Sequence, residues 1–220
     1  MNYAALVSAV ASYTENTFPT VDMNLFITQA EKRIYNTVQI PALRKNVTGI
    51  TTASNKYLAC PDDFLSSYSL AAIDPTTGAY TYLLNKDVNF IREAYPKPTT
   101  TGSPKFYALF GPAVASSVIT TELTFLIGPT PDAAYSMELH YYYYPESIVT
   151  ASTTWLSDNY DPVLLYGTLV EAYTYMKGEQ DMILLYNTKF GEALVQLKRL
   201  GDGLERSDAY RSGQARVPVT

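Results

Sequence analysis

The chain has 220 residues, of which 47% are hydrophobic and 17% are charged. This composition is typical of a folded protein and excludes a largely disordered one. A single cysteine and a single histidine exclude a disulfide framework and a Cys/His metal cluster. The net charge is −5, so the chain lacks the excess of basic residues that is typical of a nucleic-acid-binding domain. No apolar stretch approaches the ~18–20 residues that a membrane span needs.

The N-terminal segment predicts two helices. Apolar residues recur every three or four positions over residues 3–13 and 22–39. A proline follows each pattern, and proline ends a helix because it lacks an N–H and clashes with the preceding turn. Glu31 is expected to face away from the apolar row of the second helix. That row consists of Phe26, Ala30, Ile34 and Val38.

The pattern changes over residues 45–155. Short β-branched and aromatic runs are separated by turn residues, which predicts an inserted antiparallel β domain. A helical turn is expected at 87–93. The predicted strands are 47–52, 56–60, 68–73, 80–84, 106–110, 117–121, 123–127 and 135–144.

Helical periodicity returns over residues 161–177 and 181–200, with a link of two or three residues that predicts an antiparallel helical hairpin. Gly201 is expected to end the last helix. The predicted fold class is therefore α+β. Its parts are a helical bundle of residues 1–44 and 156–200, a β-rich inserted domain of residues 45–155, and an extended C-terminal tail of residues 201–220.

The chain contains no recognisable catalytic or cofactor motif, which predicts a protein that is not an enzyme and needs no cofactor. Asp62 and Asp63 form a carboxylate pair of the kind that performs acid–base work or binds a cation. A turn or helix cap explains the same pair. His140 is a candidate general base, but no motif supplies a nucleophile for it. A hydrolase that uses these three residues is one alternative function.

Four consecutive tyrosines occupy residues 141–144, inside a predicted strand. Side chains alternate along a strand, so two tyrosines point to each face of the sheet. Both faces are then covered, or one of them meets a partner. Carbohydrate stacking is the alternative, and it corresponds to a soluble β-rich glycan-binding module with helical flanks.

Five short motifs, in this order and spacing, resemble the head-to-tail adaptor (connector) proteins of tailed bacteriophages, the group that includes tail tubular protein A. The motifs are FITQAEKRI at 26–34, CPDDF at 60–64, PKFY at 104–107 followed by LIGPTP at 126–131, YSMELHYYYYP at 135–145, and TWLS at 154–157 followed by DPVLLY at 161–166.

The resemblance implies a structural virion protein at the head–tail interface, assembled in the host cytoplasm. Such adaptors form a ring, a homododecamer, that binds the portal protein on one side and the tail tube or nozzle protein on the other. DNA passes through the ring during ejection without specific binding, and no membrane is involved. A net acidic subunit is compatible with this conduit, because an acidic lumen repels DNA.

The C-terminal tail is the candidate portal-binding segment, since similar adaptors extend their C-termini along the portal. Its small apolar surface predicts disorder in the free subunit and order against the portal. Spaced arginine, tyrosine and aliphatic side chains are typical interface anchors. The candidate portal-binding residues are Leu204, Arg206, Tyr210, Arg211, Arg216 and Val217.

Overall fold

The chain forms two compact units, and the computed structural model describes residues 1–97, 99–115, 118–121 and 123–205. Met1–Leu43 and the described residues from Pro145 onward make a helical unit, and Arg44–Tyr144 make a β-rich unit. The α+β class, with terminal helices flanking a β region, is confirmed. The insertion was predicted to extend to residue 155, whereas residues 145–155 group with the helices.

The described residues contain seven α-helices and one 3₁₀ turn. The helices are α1 (Tyr3–Thr14), α2 (Thr20–Thr37), α3 (Val88–Ala94), α4 (Ile148–Ala151), α5 (Trp155–Asn159), α6 (Asp161–Tyr175) and α7 (Gln180–Glu205), and the 3₁₀ turn covers Pro41–Leu43. Helix α6 is the centre of the helical unit, because α1, α2 and α7 all pack against it. Val163, Leu164 and Leu169 of α6 are completely buried.

The predicted apolar row of α2 is buried along its whole length, and Phe190 and Leu197 of α7 are buried in the same unit. The helices approach closely at Gly167 of α6. A Cβ atom on Gly167 would lie 3.0 Å from the Phe190 ring and 3.1 Å from the Cβ of Ala30. The small residues at 30 and 167 therefore allow α2, α6 and α7 to meet at one point.

Glu31 of α2 is buried, with 3% of its surface exposed, so the expectation that it faces away from the core was wrong. Its Oε1 accepts a hydrogen bond of 2.9 Å from the backbone N–H of Ile148, the first residue of α4. Burial raises the pKa of Glu31, although the hydrogen bonds from Ile148 and Ser147 act in the opposite direction. The carboxylate satisfies an N–H at a helix start that has no partner inside its own helix.

Helix α7 continues through Gly201 to Glu205, so the predicted helix end at Gly201 was wrong. A Cβ atom on Gly201 would lie only 2.4 Å from the Cγ2 of Ile40. The glycine is needed because the helix passes close to this side chain, and the position remains helical. Five residues of the predicted tail are thus part of α7.

The β-rich unit contains two four-stranded sheets. The strands are β1 (Arg44–Ile50), β2 (Tyr57–Ala59), β3 (Phe64–Ile73), β4 (Tyr80–Tyr82), β5 (Leu84–Asn85), β6 (Thr101–Gly102), β7 (Phe106–Phe110), β8 (Ala113–Ala115), β9 (Val118–Thr121), β10 (Thr124–Gly128), β11 (Thr130–Pro131) and β12 (Ser136–Tyr143). The first sheet has the order β1-β12-β3-β4, and the second has the order β2-β10-β7-β5.

Each predicted strand is present, and most pairs of neighbouring strands are antiparallel as expected. The pairs β5–β7 and β6–β11 are parallel, which the sequence did not predict. The short strands β6, β8 and β11 were also missed, because two or three residues are too few to show an alternating pattern.

An aromatic core joins the two sheets. The Phe125 ring of β10 lies 5.5 Å from the rings of Phe64 and Tyr107, in edge-to-face contact with both. Alternate residues of β12, Met137 and Leu139 among them, face the same core. On its other face the second sheet is covered by α3, whose Ile91 packs against Ala108 and Leu126.

We expect Gly201→Ala to destabilise the protein by about 1–3 kcal/mol, because the added methyl group overlaps Ile40. Gly191→Ala is the matched control on the same helix, since nothing lies within 4 Å of its added Cβ. It should stabilise by up to about 1 kcal/mol through helix propensity. Chemical denaturation measures both changes, and equal effects at the two positions would contradict the close contact at Gly201.

Glu31 provides a second test of the helical unit. Glu31→Ala removes the acceptor for the buried Ile148 N–H and should cost about 1–3 kcal/mol. Glu31→Gln keeps an acceptor without burying a charge, so we expect it to be at least as stable as the wild type at pH 7.

The stability difference between the Glu31→Gln variant and the wild type depends on pH, because the pKa of Glu31 is raised in the folded state. A carboxyl group whose pKa is higher in the folded state contributes stability at acidic pH, and this is lost as the pH rises through the folded value. The advantage of Glu31→Gln should therefore shrink as the pH falls towards about 4.3, the ordinary pKa of glutamate. Unfolding curves between pH 4 and 7 measure it.

Candidate interaction surfaces

Asp62 and Asp63 lie in a turn, where the Phe64 N–H donates to the carbonyl of Pro61 over 3.1 Å. The two carboxylate oxygens of Asp63 have different donors: the Tyr141 hydroxyl at 2.7 Å and the Lys45 ammonium at 2.6 Å. Burial alone would raise the pKa of Asp63, but these hydrogen bonds outweigh it and lower the pKa. The carboxylate therefore connects the turn to β1 and β12.

His140 belongs to a different polar group. Its Nε2 lies 2.9 Å from the Oε1 of Glu138, which also accepts a hydrogen bond of 2.8 Å from Asn46. Hydrogen bonds from His140, Asn46 and Tyr80 lower the pKa of Glu138. Asp63 and His140 are thus engaged with different partners. In the described ranges, no group of three or more His, Cys, Asp or Glu side chains is arranged to hold a metal ion.

Tyr141 and Tyr142 are both buried, although they are neighbours in one strand. The Tyr141 ring stacks on Phe64 in the aromatic core, with 6.0 Å between the centroids. Tyr142 receives a hydrogen bond of 2.6 Å from Arg44, whose guanidinium carbon lies 4.1 Å from the centroid of the Tyr68 ring. At these two positions both faces of the strand are covered, which is one of the two arrangements that the tyrosine run left open. The role of Arg44 carries no local sequence signal.

Two tyrosines on the edge strand β4 remain exposed. The rings of Tyr80 and Tyr82 stack at a centroid distance of 6.4 Å, and more than half of each side chain is accessible. A hydrogen bond to Glu138 raises the pKa of Tyr80 and orients its hydroxyl. This pair is an aromatic platform of the kind that the glycan-binding alternative predicts.

The buried face of α7 extends beyond the residues that cover it. We call this row the C-terminal stripe; it consists of Tyr186, Phe190, Ala193, Leu197, Gly201 and Leu204, at spacings of three and four. Every member is buried except Leu204, of which 56% is exposed. Leu204 is the one predicted portal-binding residue that the structure describes. The others, Arg206, Tyr210, Arg211, Arg216 and Val217, lie outside the described residues.

The Tyr141–Asp63 hydrogen bond allows a test of the structural role of the carboxylate. We expect Tyr141→Phe to cost about 1–2 kcal/mol at pH 7, because it removes a hydrogen bond to a charged group. The pKa of Asp63 is lower in the folded state, so the stability linked to its charge is present above about 3.9, the ordinary aspartate value, and is lost as the pH falls further. The cost should shrink over that acidic range.

Thermal unfolding as a function of pH measures this cost. Tyr57→Phe is the matched control, since Tyr57 is exposed and its change should stay within about 0.5 kcal/mol. A Tyr141→Phe cost that is constant between pH 7 and pH 3 would contradict a link to the Asp63 carboxylate.

No described helix is both long and apolar enough to cross a membrane, and no curated protein matches the chain. The similarity to tail tubular protein A therefore stays a prediction. The family model for the SU10 adaptor protein matches residues 1–218, nearly the whole chain. The chain belongs to the SU10 adaptor protein family and is a bacteriophage adaptor, a structural component of the virion.

Proposed function

We propose that this protein is the repeating subunit of a ring, a homododecamer, which joins the portal protein to the tail tube or nozzle protein. DNA passes through the ring during ejection without specific binding. Membership of an adaptor family supports the joining role. The engagement of Asp63, Glu138 and His140 with structural partners supports a function without catalysis.

The observation that carries the portal-binding part of the proposal is the uncovered end of the C-terminal stripe. Leu204 continues a buried row, yet the subunit supplies nothing to cover it among the described residues. Burying a leucine side chain fully stabilises a contact by about 1.5–3 kcal/mol, so covering the exposed half is worth about 1 kcal/mol. An apolar pocket on the portal is a suitable partner for this residue.

The charge distribution along the chain also supports portal binding by the C-terminal segment. Across residues 1–43 and 145–205, carboxylates outnumber lysines and arginines by twelve to six. Residues 206–220 reverse this balance, with three arginines and one aspartate. A basic segment on an acidic subunit is suited to an acidic surface on another protein, because arginine forms paired hydrogen bonds with carboxylates. We therefore propose an acidic docking surface on the portal.

Glycan binding is the second candidate function, and the exposed Tyr80–Tyr82 pair favours it. Measuring portal binding separates the two candidates, because a glycan-binding module has no physical reason to bind a portal ring. A chain that fails to associate with its portal, and binds a sugar through Tyr82, would favour the second candidate.

We expect deletion of residues 206–220, and separately Leu204→Lys, to leave the subunit folded and to weaken portal binding. For Leu204→Lys the expected loss is about fivefold, since about 1 kcal/mol of apolar contact corresponds to a factor of about five. Leu184→Lys is the matched control, because Leu184 is 66% exposed on the same helix but outside the C-terminal stripe.

Sedimentation of each variant with the portal, together with negative-stain images of the mixture, measures binding, and thermal unfolding of the free subunit checks the fold. Unchanged affinity in both variants would remove the C-terminal segment from the mechanism. Absence of any complex between the wild-type chain and the portal would contradict the proposed function itself.

A further inference from the structure

An open cleft lies beside α3 in the β-rich unit. We call it the α3 cleft; Arg92 and Tyr95 are on the side of the helix, and Lys56, Leu126 and Thr130 are on the side of the strands. Its volume is about 330 Å³. Pockets that hold small molecules in proteins have volumes of roughly 300–1,000 Å³. The α3 cleft therefore has room for a small organic ligand.

Close packing holds both sides of the α3 cleft in place. A Cβ atom on Gly128, the last residue of β10, would lie 2.6 Å from the Cγ2 of Ile91 and 3.1 Å from the Tyr95 ring. The glycine therefore lets the end of α3 lie directly against β10. On the other side, the carbonyl of Lys56 accepts a hydrogen bond of 2.8 Å from the Ile127 N–H. A site that is already ordered loses less entropy when a ligand binds.

Lys56 and Arg92 give the α3 cleft a positive charge. The Nζ of Lys56 lies 5.5 Å from the centroid of the Tyr57 ring, and the Cζ of Arg92 lies 5.5 Å from that of Phe110. Such contacts with ring faces orient a cation without neutralising it. Neither side chain forms an ion pair with a described residue, and no described carboxylate lines the cleft. Both cations therefore keep N–H donors for an anion.

The rest of the lining combines a hydroxyl group with apolar surface. Thr130 is buried, with 6% of its surface exposed, and its hydroxyl forms no hydrogen bond with another described residue. A buried polar group without a partner is costly, so an acceptor on a ligand would stabilise this hydroxyl. Tyr95 is half-buried and presents an aromatic ring beside the cations. The lining is suited to a molecule with one anionic and one apolar part.

We propose that the α3 cleft binds a small organic anion, with its phosphate or carboxylate group at Lys56 and Arg92 and its apolar part against Tyr95. The planar guanidinium of arginine forms paired hydrogen bonds with either anionic group. A nucleic acid is a poorer occupant, because the net charge of −5 opposes its approach and its backbone has no apolar group for the tyrosine. This inference does not depend on the proposed ring.

Calorimetric titration of the full chain with small probes tests this site. The probes are phenyl phosphate, inorganic phosphate and phenol. We expect phenyl phosphate to bind more tightly than the other two, because it alone engages the cations and the tyrosine ring together. Phenylacetate, in a parallel titration, shows whether a carboxylate serves as well as a phosphate. Binding of either organic anion supports the proposal, and binding of neither overturns it.

Substitution of the two cations assigns the binding to the α3 cleft. Arg92→Gln and Lys56→Gln should each weaken phenyl phosphate binding about tenfold, because each removes a hydrogen bond between charged groups. Lys86→Gln is the matched control, since the Nζ of Lys86 also lies over a ring, 5.4 Å from the Phe90 centroid, but does not line the cleft. Equal affinities in the three variants, with unchanged thermal unfolding, would overturn the proposal.

Macromolecular probes separate the small anion from other occupants of the cleft. A short DNA duplex and a hexaglutamate peptide are titrated into the wild type and into Arg92→Gln. If either binds through Arg92 while phenyl phosphate does not bind, the site belongs to a nucleic acid or an acidic protein segment, and the proposal fails. Portal binding by Arg92→Gln, measured by sedimentation, should equal that of the wild type. This inference and the proposed function can therefore fail separately.

Discussion

The antiparallel pairing of β1 with β12 is the constraint on which the rest of the structure depends. These are the first and last strands of the inserted unit, and Arg44 at the start lies opposite Tyr142 near the end. Directly paired residues are only about 5 Å apart, so the chain leaves and re-enters the helical unit at neighbouring points. The helical core, built from two segments distant in sequence, can then close around α6 as if the insertion were a short connection.

Charged and polar side chains connect structural elements within each unit. Glu31 receives the N–H of Ile148 just after the chain returns to the helical unit. Arg33, two residues later in the same helix, pairs with Glu171 of α6. Within the β-rich unit, Lys45, Asp63 and Tyr141 connect β1, the turn before β3 and β12. Asp63, which resembled a catalytic group in the sequence, therefore holds structural elements together.

The end of the C-terminal stripe is an apolar feature that the described residues leave without a structural explanation. Leu204 lies in line with buried residues of α7, and yet more than half of it is exposed. The stacked Tyr80–Tyr82 pair is a second feature of this kind, since both side chains are exposed at the edge of their sheet.

The sequence by itself determined the elements and their order. Periodicity of three to four residues in the terminal segments and alternation in the middle are local properties, so α2, α6, most of α7 and the longer strands were predictable, and the order of short motifs pointed to the adaptor family. Contacts between residues distant in sequence have no such signal. Gly201 was interpreted as a helix end because the approach of Ile40 is visible only in the folded chain. Glu31 was assigned to an outer face because the buried N–H that it satisfies belongs to a helix more than a hundred residues later. Only the tertiary structure decided these roles, since packing distance and burial depend on which surfaces the fold brings together.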